Sequence, residues 1–243
     1  MKDLNFIYKF IDELDKTIIK QIRDKLSQES EFTWEKYNFR KGRSIGHAHE
    51  NTKCIPLYWI CNDWLTLTKN KPVYIYRFIE FESYFPFLEK IHELLKIKYP
   101  NTILYQVAFT KLSKNKDIYP HSDCTERCAY PHRIHVSIQT DPNVKFYIND
   151  ISHHFAEGEI VEINNMLKHS VENKSSLDRI HLIIDLIDID NFGHGVRYKD
   201  LLYKDILINR ELYFGSNGVI RPNCDIPIPT FLYKNDIYTD EHN

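Results

Sequence analysis

The sequence predicts a mainly β protein, an antiparallel sandwich or barrel with helices at its flanks. Short runs of period-two alternation crowd residues 103–187, Asn, Asp or Gly separates most of them, and helical spacing is confined to stretches outside that block. Taking the chain in order, Phe6, Ile7, Phe10, Ile11, Leu14, Ile18, Ile19, Ile22 and Leu26 recur three and four apart, which predicts an amphipathic helix over 4–27. The polar, Arg-rich stretch WEKYNFRKGRSIGHAHENTK that follows reads as loop. Apolar runs at 54–61 and 72–80 suit strands, and 83–98 returns to helical spacing. Alternating strands are predicted at 103–112, 133–140, 144–149, 159–164 and 179–187. Beyond 190, VRYKDLLYKDILINREL has helical spacing, and 219–243 is Pro-rich and extended.

No internal repeat or low-complexity linker divides the 243 residues, so the reading is one domain, 1–243. Within it, 1–100 is an N-terminal helical and strand layer, 101–190 the β core, and 191–243 a C-terminal helix and extended wrap. The formal charge is -2, with no long run of one sign to track phosphates, which argues against a nucleic-acid partner. The first twenty residues are too charged for a signal peptide, and no stretch reaches the roughly 18 apolar residues of a membrane span. Five cysteines without a disulfide-like framework fit a reducing compartment. A cytoplasmic protein is expected. Nothing in the residues speaks to oligomeric state.

Alternation also sorts the polar side chains by face. In RIHVSIQT, Ile134, Val136 and Ile138 share one face, and Arg133, His135, Ser137 and Gln139 the other. In RIHLIIDL, Ile180, Leu182, Ile184 and Leu186 oppose Arg179, His181, Ile183 and Asp185. If the apolar faces pack on the helices, the Arg and His faces line the interior of the sandwich, where an anion would be a natural partner. If they do not, the polar faces simply meet water.

His121 and Asp123 lie two apart, so in extended chain both side chains point the same way and can share one cation. His169, following a turn and preceding the last alternating strand, is the best third ligand. Two His and one carboxylate with open positions form the facial triad of non-haem Fe(II) oxygenases. Arg179, ten residues after His169 on the inward face, can clamp a dicarboxylate bidentately while the acid's other end chelates the metal.

Several blander readings accompany this set. Cys124 and Cys128 with His121, His132 and His135 permit a zinc site, although no second ligand pair follows at finger-like spacing. His47 and His49 read as exposed loop histidines, the alternative being that Arg40 or His49 lines a substrate pocket. His153 and His154 read as surface residues of a hairpin, and Asp185 as a structural partner. Glu162 and Asn164 are candidates to hydrogen-bond the metal ligands.

PHSD at 120–123, RIH at 133–135, EGEIVEIN around 158, HSVEN at 169–173 and DRIHLIIDL at 178–186 together resemble the Fe(II)/2-oxoglutarate-dependent dioxygenases, in the aspartyl/asparaginyl and proline hydroxylase branch. The resemblance covers about a third of the chain, roughly 103–190. It implies a double-stranded β-helix, the jelly-roll or cupin-like core, with catalysis in 101–190. It implies that His121, Asp123 and His169 bind Fe(II), that Arg179 pairs with the distal carboxylate of 2-oxoglutarate, that Arg133 and His135 help hold the cosubstrate's other end, and that Thr110 assists Arg179. The carboxylate at Asp123 makes the chain resemble the proline hydroxylase type rather than the animal aspartyl enzymes, and favours hydroxylation over halogenation. The implied reaction consumes O2 and 2-oxoglutarate, releases succinate and CO2, and hydroxylates an amino acid, free or in a peptide. A lipid or other small metabolite is the second substrate class, and a non-catalytic cupin-like module the reading from another class.

Overall fold

The chain's first regular element is set by the sheet it joins rather than by its own spacing. In the computed structural model, which describes residues 5–36, 47–60, 73–123, 128, 131–188, 201–206, 213–214 and 220–221, strand β1 (Tyr8–Glu13) stands where the start of a long helix was expected. It pairs antiparallel with a strand at 159–163. The edge backbone groups of that strand need partners, and their satisfaction outweighs a helical pattern that the first residues share with many strands. Helix α1 (Lys16–Leu26) begins only after Asp15, whose side chain accepts the Thr17 N–H at 2.8 Å. Ile19, Ile22 and Leu26 of α1 are buried.

The next elements are α2 (Glu31–Lys36), β2 (Thr52–Ile60) and β3 (Val73–Phe78). A 3-10 segment (Ile79–Tyr84) leads to α3 (Phe85–Lys98), which buries Leu88, Ile91 and Leu95 at helical spacing. From β4 (Thr102–Leu112) the chain winds alternately between two sheets. β4, β6 (His132–Gln139), β9 (Glu159–Ile163) and β11 (Arg179–Asp188) lie in the larger sheet, while β5 (Lys116–His121), β7 (Val144–Ile148), β8 (Ile151–His153) and β10 (His169–Asn173) form the smaller. The larger sheet runs β1-β9-β6-β11-β4-β2-β3-β12, with β12 at Leu201–Ile206, and the smaller β5-β10-β7-β8. This alternation is the double-stranded β-helix. The chain turns between β7 and β8 on Asn149 (φ 51°) and Asp150 (φ 63°), both left-handed, as a two-residue type I′ hairpin requires.

β12 (Leu201–Ile206) corrects the expectation of a helix over 196–212: it runs parallel to β3 and caps that edge of the sheet. β13 (Tyr213–Phe214) and β14 (Ile220–Arg221) form a small ladder of their own. The remainder of the extended wrap at 219–243 lies outside the described residues.

Two apolar clusters follow from the two faces of the larger sheet. On its outer face Ile134, Val136, Ile138, Ile180, Leu182, Ile184 and Leu186 pack with α1 and α3 around Trp34, Tyr84 and Tyr105. Each such Leu or Ile contributes about 1.5–3 kcal/mol by leaving water. Between the sheets a smaller cluster gathers Leu112, Ile118, Val144, Phe146, Phe155, Val161 and Val171. No described helix is long and apolar enough to cross a membrane.

Gly158 locks the β8–β9 connection to the entry of α1. Its φ of 94° is left-handed, and a Cβ there would lie 3.1 Å from the Leu14 carbonyl oxygen. Its own carbonyl accepts the Leu14 N–H at 2.9 Å, and its N–H donates to Ser137 at 2.8 Å. Gly158→Ala is expected to destabilise the protein by about 1–3 kcal/mol, read as a lower urea midpoint with an unchanged slope.

Candidate metal centre and its buried surroundings

The interior faces of β6 and β11 are polar and dry. Arg179, His181 and Asp185 are each 2% exposed, His135 4% and Ser137 0%. The face assignments from alternation therefore hold, and the alternative of a water-facing polar surface does not. The pairing of strands then brings the candidate ligands together. His169 on β10 stands opposite His121 on β5, with ring centroids 4.3 Å apart. Asp123 follows two residues after His121, and its Oδ1 lies 3.9 Å from His121 Nε2.

Both imidazoles are held the same way. His121 Nδ1 meets the Tyr119 carbonyl at 2.8 Å, and His169 Nδ1 meets the Leu167 carbonyl at 2.8 Å. A carbonyl can only accept, so Nδ1 carries a proton in each ring, and Nε2 is the nitrogen left to offer a lone pair to a metal. His121 Nε2 is buried and makes no hydrogen bond. Burial, reinforced by the neighbouring His121, pushes His169 down to about 4, so it stays neutral at physiological pH. Two imidazole nitrogens and an ionised carboxylate are the donor set that suits a divalent transition metal such as Fe(II).

Asp123 owes its charge and its place to groups that sequence reasoning assigned elsewhere. Arg133 binds Asp185 through Nε and Nη2, both at 2.8 Å, and turns Nη1 to the Asp123 carboxylate. Burial alone would raise the Asp123 carboxyl, but the adjacent Arg133 guanidinium holds it below the usual range. Arg133 was expected to touch the cosubstrate. In the structure its guanidinium is engaged by two carboxylates instead, and Asp185 is its structural partner as expected. Asn165 adds a second hold: its carbonyl accepts the Asp123 N–H at 3.0 Å and its amide nitrogen reaches Asp123 Oδ2 at 3.4 Å.

The expectation for Glu162 and Asn164 is corrected. Glu162 faces away from the ligands, bound to His132 Nδ1 at 2.7 Å and the Tyr99 hydroxyl at 2.9 Å, and Asn164 donates to the Phe6 carbonyl. Asn165 was missed because alternation loses its phase where β9 ends. The same geometry disperses the zinc set, since His132 and His135 point to opposite sides of β6. Cys124 and Arg40 lie outside the described residues.

A second polar group lies deeper. Arg179 Nη2 is 2.7 Å from His181 Nδ1, and since a guanidinium only donates, that nitrogen is the acceptor. His181 Nε2–H then donates to the Ser137 hydroxyl at 3.0 Å, which donates to the Phe155 carbonyl at 3.1 Å. His135 Nδ1 approaches His181 Nδ1 at 3.3 Å, so the His135 proton sits on that side. Thr110 donates to the His181 carbonyl at 3.3 Å, two residues from Arg179 rather than onto its guanidinium. Phe146 joins the two polar groups: the Arg179 guanidinium lies over its ring at 5.6 Å, and the His169 ring stacks on it at 6.3 Å.

The N-terminal histidines are nearer than expected. The ligand atoms of His49, His121 and Asp123 all lie within 4.8 Å of one another, and the His49 ring meets His121 edge-on at 4.5 Å; His169, whose ring centroid lies 4.3 Å from that of His121, is outside this group of three among the described residues. Only its place in a turn preceding β2 hid this from the sequence. His153 is half-buried, with its ring against Tyr8 at 4.7 Å and Phe155 at 6.2 Å.

The family model for the aspartyl/asparaginyl beta-hydroxylases matches residues 11–188, well over half of the chain. The protein belongs to the aspartyl/asparaginyl beta-hydroxylase family. Among curated proteins, family resemblance extends to an L-proline cis-4-hydroxylase of Rhizobium meliloti (strain 1021), 30% identical over 98 residues, which are 40% of this chain and 35% of that one. The match thus spans about a third of that relative's length. Two solved structures share the fold at low identity. An oxidoreductase of the 2OG-Fe(II) oxygenase family from Burkholderia pseudomallei has a TM-score of 0.51 at 8% identity, covering 74% of this chain and 84% of that one. A prolyl hydroxylase from Trichoplax adhaerens, in complex with a hypoxia inducible factor peptide fragment, has a TM-score of 0.51 at 10% identity, covering 79% and 89%.

Two outcomes follow from these contacts. Asp185→Asn removes one side of the clamp on Arg133, and is expected to weaken Co(II) binding on the order of 10-fold, read by titration of the chelator-treated protein. His181 is held well below its ordinary value by burial and then by Arg179. Its contribution to stability is therefore present above about pH 6.5 and lost as pH falls below that, because the unfolded chain takes up a proton the folded one refuses. The urea midpoint should drop between pH 7.5 and 5, and drop less in His181→Gln.

Proposed function

We propose that the protein is an Fe(II)- and 2-oxoglutarate-dependent oxygenase that hydroxylates an unactivated C–H bond of an amino acid, free or in a peptide. The observation that carries this is the His121/His169 pair, each ring fixed by a backbone carbonyl with its Nε2 lone pair available beside Asp123. His121, Asp123 and His169 would hold the metal. Arg179, a buried cation across Phe146 from His169, would pair with the distal carboxylate of the cosubstrate. His135 and Thr110 both contact His181, the residue that meets that cation, and would shape the cosubstrate's berth. When bound, the metal and the 2-oxo acid supply the oxidising chemistry, in which O2 and 2-oxoglutarate become succinate, CO2 and one hydroxyl on the substrate.

The chain's own residues do the rest. Arg133 keeps Asp123 ionised and oriented. The Tyr119 and Leu167 carbonyls retain the Nδ1 protons, so neither imidazole can flip its donor nitrogen. His181, locked between Ser137 and Arg179, holds the guanidinium in place without adding a second positive charge. Phe146, Phe155, Val161 and Val171 exclude water from the space between the sheets. The proline-acting relative supports an amino-acid substrate over a lipid or other metabolite. We place the catalytic core at 101–190 of a single domain, and a cytoplasmic setting suits the thiols of Cys54 and Cys128.

A screen of amino acids and short peptides for substrate-stimulated succinate release, under Fe(II), ascorbate and 2-oxoglutarate, tests this. Proline and its analogues are expected to stimulate, His169→Ala to lose turnover, and Arg179→Gln to raise the KM for 2-oxoglutarate by roughly tenfold or more. A non-catalytic binding module would bind ligand and release no succinate with any substrate.

A further inference from the structure

We propose that His49 is a further ligand of the same ion, so that before the cosubstrate arrives the metal is held by three imidazoles and one carboxylate. The proposal rests on the reading of His121, Asp123 and His169 as metal ligands. Its carrying observation is that the ligand atoms of His49, His121 and Asp123 all fall within 4.8 Å of one another, the separation that donors sharing one ion need. A ring contact alone would bring His49 against His121, as the edge-on meeting at 4.5 Å does, but would not also bring its nitrogen within reach of Asp123.

The position of His49 is built rather than incidental. Thr52 donates to the His49 carbonyl through both its N–H (3.0 Å) and its hydroxyl (2.8 Å). The His49 N–H donates to His47 Nδ1 at 3.2 Å. The neighbouring Ala48 carbonyl accepts the Tyr119 N–H at 3.1 Å, and Asn51 donates to the Asp117 carbonyl at 3.0 Å. The turn that carries His49 is therefore laced to β5, two residues from His121, and the two histidines keep their relation as a unit.

The consequence for the centre is numerical. A facial set of two His and one carboxylate leaves three positions on a six-coordinate ion, and a fourth protein ligand leaves two. A bidentate 2-oxo acid fills both. Any third small ligand would need the place that His49 holds.

The experiment uses the full chain, stripped with a chelator and loaded with Co(II) alone, and counts the exchangeable imidazole N–H protons shifted by the paramagnetic ion in proton NMR. Three are expected in the wild type, two in His49→Ala, and three in His47→Ala. Co(II) affinity should fall on the order of 10-fold or more in His49→Ala. Two shifted protons in the wild type would overturn the proposal and leave the three-residue centre standing, and this count needs no variant to fold. Loss of a proton in His47→Ala with none lost in His49→Ala would also overturn it. No shifted proton in the wild type would remove the metal centre itself, and the proposal with it.

Discussion

The arrangement between the sheets depends on one buried guanidinium. Arg133 joins Asp185, opposite it on the neighbouring strand of the larger sheet, to Asp123, which follows the end of β5 in the smaller one. Each of these charges alone would be costly in so dry a place. Together they satisfy one another, and a carboxylate that burial would neutralise stays ionised. The relay also spans the two sheets with directional hydrogen bonds, beside an apolar cluster that fixes no direction. A metal carboxylate needs that kind of fixity, because its lone pairs must point at one place.

The same economy of charge explains the deeper group. Arg179 meets the Nδ1 lone pair of His181, a neutral acceptor, and the face of Phe146. The two guanidiniums thus have different surroundings: Arg133 is neutralised by two protein carboxylates, while Arg179 lies against a neutral ring and an aromatic face.

What was legible in the sequence follows from which forces are local. The strands β4, β6, β9 and β11 have one face toward the helices and one toward the partner sheet, and β7 alternates between the partner sheet and solvent, so their alternation is strong, and the inward positions of Arg179, His135 and Asp185 could be read directly. His121, Asp123 and His169 were legible because a two-residue spacing and a strand boundary are local features. β1 and β12 were not, since each exists to finish an edge whose partner lies far away in the chain. Arg133 was placed on the correct face, but which anion would claim it depends on register between β6 and β11, which no single strand encodes. Asn165 and His49 act from turns, where there is no period to show direction.

The pairing of β1 with β9 sets an order of events during synthesis. Residues 8–13 leave the ribosome about 150 residues ahead of their partners at 159–163. At roughly 5–20 residues per second, that is on the order of ten seconds or more. For that interval the emerging chain carries an unmatched strand with Tyr8 and Phe10 exposed even in the finished fold. Asp12, Glu13 and Asp15 crowd its far end, a cluster of like charge that discourages two nascent chains from pairing with each other while each waits for its own sheet.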